Sequence, residues 1–122
     1  MYQTTIHNVE VLYFRKNNTF RLVLKEKNTK DVSFGIELDL FQLQFLLKEM
    51  SFSFDKGKNA RPVNWQIGDY FYEVTMGYMT ENFFMISFVS TDKNFNQNTF
   101  VFKMTRQELG KLIQIMGNVN HI

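Results

Sequence analysis

Side chains able to do chemistry are scarce in this chain, and that scarcity is the first constraint on function. Cysteine is absent, which removes disulfides, zinc–thiolate sites and thiol nucleophiles. Nucleophilic catalysis needs a base beside a Ser, Thr or Lys, and only His7 and His121 are on offer as imidazoles. Gly57, Gly68 and Gly77 stand apart instead of forming a phosphate-cradling run. Glu37 and Asp39, two residues apart on one strand face, could hold a hard cation; alternatively Glu37 is solvated and Asp39 caps a helix. No helical pair has metal-ligand spacing. The expectation is a protein that binds and does not catalyse, with no metal and no cofactor.

The binding chemistry on offer is cationic and aromatic. Across 122 residues the formal net charge is only +2, but it is unevenly spread. In "RKNNTFRLVLKEKNTK", residues 15 to 30, six basic residues face one acid, Glu26. A local excess of this kind attracts phosphates even on a near-neutral protein. A second cluster, "SFSFDKGKNARPVNW", residues 51 to 65, holds the only proline, Pro62, and the only tryptophan, Trp65. Lys56, Lys58 and Arg61 lie between them and Phe52 and Phe54. This stretch reads first as a connector, with Phe52, Phe54 and Trp65 tucked onto the core edge, and second as an electrostatic fringe.

The elements that position these groups follow from hydrophobic period. "NVEVLYFRK" and "TFRLVLKEK" alternate around Asn17-Asn18, and Asn tolerates the left-handed backbone of tight hairpins. "DVSFGIELD" alternates with Val32, Phe34, Ile36 and Leu38 on one face. The period then changes: Leu40, Leu43, Leu46, Leu47 and Met50 share a helical stripe, with Asp39 as N-cap. The second half repeats this order. "DYFYEVTMGYM" and "FFMISFVST" form a hairpin, "TFVFKM" alternates, and Leu109, Leu112, Ile113 and Met116 share a stripe behind a Thr105/Glu108 capping box. In register, Leu38 aligns with Met104, Asp39 with Thr105, Leu43 with Leu109 and Met50 with Met116.

The predicted fold is therefore α+β: two tandem units of curved antiparallel sheet followed by one helix, β-β-β-α, packed as a pseudo-twofold single domain over residues 1 to 122. Repeat 1 covers about 3 to 50, a connector 51 to 65, and repeat 2 about 66 to 118. Gly110, inside the second helix at a cost of about 1 kcal/mol against Ala, marks a close backbone approach. Phe41 and Phe45 form a second apolar stripe on the first helix, expected to meet the other half or another chain.

Hairpin register converts the pattern into a surface. A two-residue turn at Asn17-Asn18 pairs Arg15 with Phe20, Tyr13 with Leu22 and Val11 with Leu24, facing the helix. The opposite face then carries Phe14 beside Arg21, Leu12 beside Val23, Glu10 beside Lys25 and Asn8 beside Lys27, with Lys16 next to Phe14. Aromatic rings among cations can stack a base while neutralising phosphates; the same lysines also protect a sheet from edge aggregation. In the second unit, a Thr80–Asn82 loop points Phe71, Met79, Phe83, Met85 and Val89 outward with Lys103. That apolar face suits an oligomer interface or, alternatively, a stacking platform.

Tandem sheet-then-helix units resemble the single-stranded nucleic-acid-binding superfamily of PUR proteins, Whirly proteins and the positive-cofactor type of transcriptional coactivator. The second unit, "YFYEVTMGYMTENFFMISFVSTDKNFNQNTFVFKMTRQELGKLIQIM", is similar to a PUR repeat: a Tyr-Phe-rich first strand, paired aromatics opening the second, a third strand running into a helix. The resemblance is one of architecture and spacing. It implies single-stranded DNA or RNA bound on the curved outer sheet face by basic residues and stacked aromatics. By strand position this implicates Phe14, Lys16, Arg21, Lys25 and Lys27, then Phe83, Met85 and Lys103 without the basic surplus. Arg15, Lys56, Lys58, Arg61 and Trp65 complete the expected nucleic-acid set. Phe41, Phe45, Phe83 and Met85 are the expected interface of a homodimer or higher homo-oligomer. "MYQTTIHNVEV" lacks the basic-then-apolar pattern of a signal peptide and no window reaches membrane-span length, so a cytoplasmic location without membrane contact is expected.

Overall fold

Alternation of apolar and polar residues builds every strand of the computed structural model, which describes residues 1–27, 33–80 and 82–118. In chain order the elements are β1 (Tyr2–Ile6), β2 (Val9–Lys16), β3 (Thr19–Glu26), β4 (Ser33–Leu38), α1 (Leu40–Lys56), β5 (Val63–Ile67), β6 (Tyr70–Thr80), β7 (Phe83–Thr91), β8 (Gln97–Thr105) and α2 (Arg106–Gly117). They form two antiparallel meanders, β1-β2-β3-β4 and β5-β6-β7-β8, each followed by its helix. The α+β class and the internal repeat stand, but each unit has four strands where the sequence predicts three. The additional strands, β1 and β5, are five residues each. Their inward residues, Ile6, Val63 and Trp65, are too few to announce an alternating run by themselves.

The expected connector over 51 to 65 dissolves into three parts. Residues 51 to 56 prolong α1, and Gly57 ends it at φ 61 in the left-handed region, its N–H donating to the Ser53 carbonyl. The buried Ser53 hydroxyl donates to the Lys58 carbonyl at 2.7 Å, so a polar residue on the core side of the helix is satisfied. Only 58 to 62 link the units before β5 begins at Val63. The linker follows β6: Ala60 N–H donates to the Met76 carbonyl, and the Asn59 side-chain oxygen accepts from Tyr78 N–H.

Equivalent positions in the two units do equivalent work. Asp39 and Thr105 are the two N-caps, and Thr105 with Glu108 completes the capping box. Leu38 and Met104, Leu43 and Leu109, Met50 and Met116 are all buried. The two helices pack together in one domain. At Gly110 the close neighbour is a side chain and not the backbone expected: a Cβ there would stand 3.2 Å from the Phe54 ring of α1.

Each helix also reaches the other unit's sheet. Tyr13 of β2 donates its phenol hydrogen to the Met116 carbonyl of α2, and Asn118 donates its amide to the Tyr2 hydroxyl. Leu46 and Met50 of α1 share a small gap with Val63, Val74 and Met76 of the second sheet. The sheets meet along β4, where the Phe34 ring lies 6.2 Å from those of Phe88 and Phe100. Val32, expected to extend the inner face of β4, lies outside the described residues.

Candidate nucleic-acid interface

Register decides which side chains face solvent, and in the first sheet it is the one read from the sequence. Lys16 pairs with Thr19 across the Asn17-Asn18 turn, with Asn17 at φ 55. Phe14 stands opposite Arg21, Leu12 opposite Val23 and Glu10 opposite Lys25, while Lys27 N–H donates to the Asn8 carbonyl. Val11, Tyr13, Leu22 and Leu24, of the opposite parity, are buried beneath. The outer face therefore carries Phe14 and Arg21, half-buried, with exposed Lys16 beside them and exposed Lys25 and Lys27 further along β3 and its end.

Arg21 is held in place across to β4. Its Nε lies 3.7 Å from Glu37 Oε1, within ion-pair range but too long for a hydrogen bond. The same carboxylate oxygen accepts from the Thr19 hydroxyl at 2.7 Å. Glu37 is thus part of the sheet face, while Asp39 accepts from Gln42 N–H as the cap of α1. No group of three His, Asp or Glu residues suited to a metal ion occurs among the described residues.

Arg15 belongs to the other side. It sits with its guanidinium carbon 5.6 Å from the centre of the Phe20 ring, and its Nε donates to the Asn17 carbonyl. Trp65 is a core residue, 5 % exposed; its indole N–H donates to the Glu37 carbonyl at 2.7 Å, tying β5 to β4. It takes the core-edge place read for it first, because position 65 falls on the inward parity of β5, and so stands off the expected nucleic-acid face. Lys56, Lys58 and Arg61 are exposed at the end of α1 and on the linker beside the second sheet, away from the Phe14 face. Arg61 N–H is anchored by the buried carboxylate of Glu49 at 3.0 Å.

In the second sheet, Tyr78, Met76 and Val74 pair inward with Phe84, Ile86 and Phe88 as expected. The turn differs: Thr80 pairs with Phe83, and Met79 is accommodated by a register shift. Glu81, within the expected loop, lies outside the described residues. Outward stand Phe71, Phe83, Met85, Val89, Val101 and Lys103, with Glu73, Thr75, Ser87 and Thr99 sharing the face, so apolar and polar side chains are mixed there. Lys103 Nζ lies 4.2 Å from the centre of the Phe83 ring, a cation–π contact between adjacent strands.

Phe41 and Phe45 do not meet the other half: they are 72 % and 43 % exposed. The extension of α1 adds Phe52, seven residues beyond Phe45 and also exposed, so three rings line the helix face opposite Leu43, Leu46 and Met50. Phe95 went unread in the sequence. It lies in the β7–β8 loop and is the most exposed large apolar side chain described, at 87 %. The available signal was a lone aromatic in the Asn-rich stretch "DKNFNQN".

The chain matches no protein-family model and no curated protein. No helix among the described residues is long and apolar enough to cross a membrane.

Proposed function

We propose that this protein is a non-catalytic binder of single-stranded nucleic acid, DNA or RNA, that lays the strand across the outer face of the first sheet. The observation that carries the proposal is the placement of Phe14 directly opposite Arg21, with exposed Lys16 beside them and exposed Lys25 and Lys27 further along the same outward face. An unpaired base has a free π-face for Phe14, and the cations neutralise the flanking phosphates. Little in this face reads base edges, so recognition is by charge and stacking. The resemblance in architecture to the PUR, Whirly and positive-cofactor proteins supports the same reading.

A second reading, an assembly module, is favoured by one specific observation, the exposed row of Phe41, Phe45 and Phe52 along α1. Apolar rings aligned on one helix face are a common contact for a second helix. Under this reading the partner is a second copy of the chain or another protein.

Fluorescence anisotropy of a labelled single-stranded oligonucleotide, at low and near-physiological salt with duplex competitor, separates the two. The nucleic-acid reading expects preference for the single strand and weakening with salt, each neutralised phosphate adding about 0.7 to the logarithmic slope. Absence of binding at low salt sinks it.

A further inference from the structure

We infer that the end of the second sheet remote from its helix holds a stacking site for one unpaired nucleobase, built around Phe95 and Phe71. The inference rests on the nucleic-acid reading above and adds a second point of contact to it, on the opposite unit.

The site begins with a rung across all four strands. Gln66 pairs with Phe71, Phe71 with Thr91 and Thr91 with Gln97, all on the outward parity. Strands repeat at about 4.8 Å, so the rung is about 14 Å wide, enough for a base and its sugar. A cleft of about 460 Å³ opens over this rung, with Phe95 and Lys93 of the β7–β8 loop as its other wall.

The loop holds Phe95 in an unusual position. Its φ is 64, in the left-handed region where a bulky side chain is an outlier. The conformation is imposed by Asp92, whose carboxylate accepts from Asn94 N–H at 2.9 Å and from Asn96 N–H at 3.0 Å. Main-chain bonds from Phe95 N–H to the Asp92 carbonyl and from Asp92 N–H to the Asn96 carbonyl close the turn. A glycine or asparagine would satisfy this backbone without strain. The ring that stands there is almost fully exposed and adds nothing to the core. Strained and preorganised positions of this kind concentrate at ligand clamps.

The lining chooses the occupant. Phe71 is 44 % exposed and brings a second aromatic ring to the lining of the same cleft. Thr91 and Gln97 follow Phe71 on the rung towards the loop, and Gln66, whose Nε2 donates to the Gly68 carbonyl at 3.2 Å, flanks it on the other side; all three line the cleft with uncharged donors and acceptors suited to base edges. Asp69 and Asp92 outnumber Lys93, which disfavours a phosphate inside the cleft. A planar, neutral, hydrogen-bonding ring fits this arrangement, and in a single strand that ring is a nucleobase.

The test uses Phe95→Asn, which suits the left-handed backbone and deletes only the ring, with Phe95→Trp as the conservative variant. Each is titrated against a labelled single-stranded oligonucleotide and against an abasic strand of equal length and charge. Loss of one stacked base corresponds to roughly a tenfold loss of affinity. We expect this loss for Phe95→Asn on the base-bearing strand, none on the abasic strand, and recovery in Phe95→Trp. Unchanged affinity in Phe95→Asn, with the parent protein still binding, overturns this site and leaves the first-sheet reading standing. Equal losses on both strands also overturn it, since the ring would then not be stacking on a base. Failure of the parent to bind either strand overturns both readings together.

Discussion

Tyr13 on β2 donates its phenol hydrogen to the main-chain carbonyl of Met116 on α2, 3.2 Å away and 103 residues later in the chain. The bond joins the first sheet to the last helix in the interior, and burial pushes the phenol's pKa well above its ordinary value. Tyr13→Phe keeps the ring stacked near Phe20 and leaves one buried carbonyl with one partner fewer. The expected loss is about 1 kcal/mol at neutral pH, read from urea unfolding. The sign of the pH dependence follows from the raised pKa: the contribution is full below pH about 10 and is lost as pH climbs above it. Tyr72, raised chiefly by burial and then by Glu37 and Tyr70, adds in the same direction. The variant should therefore lose stability less steeply than the parent in the alkaline range, and identical slopes would show that folding does not raise the Tyr13 pKa.

Glu108 contributes on the acid side, as does Asp92, whose carboxyl is held below its ordinary pKa by hydrogen bonds from Asn96 and Asn94. Partial burial pushes the Glu108 pKa up, but the Thr105 N–H, the Thr105 hydroxyl and then His7 together outweigh that and hold it below the ordinary value. A depressed carboxylate stabilises the fold above its unfolded pKa, about 4.3, and this is lost as pH falls through the folded value. Glu108→Gln is expected to cost about 1 kcal/mol at neutral pH through the weakened cap and the tie to His7. Its stability should also decline less between neutrality and pH 3 than that of the parent, as followed by circular dichroism.

Gly110 has a packing reason. Its missing Cβ leaves room for the edge of Phe54, whose ring is itself covered by the Arg106 guanidinium at 4.4 Å. Gly→Ala in a helix interior is ordinarily worth about 1 kcal/mol in favour of Ala. Here the gain should appear in full only when Phe54→Ala opens the space, and be reduced or reversed in the parent. A double-mutant cycle in denaturant measures the difference, and strict additivity would mean the contact is not felt.

On the outer face of the first sheet, Phe14→Ala with Arg21→Ala should abolish oligonucleotide binding and leave the oligomeric state unchanged. Lys25→Gln and Lys27→Gln should each weaken binding across all sequences and lower the salt slope by up to about 0.7. If the assembly reading holds instead, Phe41→Asp with Phe45→Asp shifts the sedimentation profile while the Phe14 and Arg21 variants do nothing.

Much of this architecture was legible in the sequence because its causes are local. Period two in "VLYFRK" and "TFRLVL" sets the parity of every side chain in β2 and β3, and an Asn-Asn turn of fixed length sets their register. The N-caps at Asp39 and Thr105 and the sixty-six-residue offset between the halves follow from spacing alone. What spacing cannot supply is the partner of each apolar face. That Tyr13 finds Met116, that the Trp65 indole finds the Glu37 carbonyl, and that α1 runs past Met50 to Gly57 with Phe41, Phe45 and Phe52 uncovered depend on contacts between residues far apart in the chain. Phe95 belongs to the same class, since only the closed hydrogen bonds of its loop set its left-handed backbone and place it on the same cleft as Phe71. Periodicity determined which surfaces exist; the packing of one unit against the other decided which remain exposed.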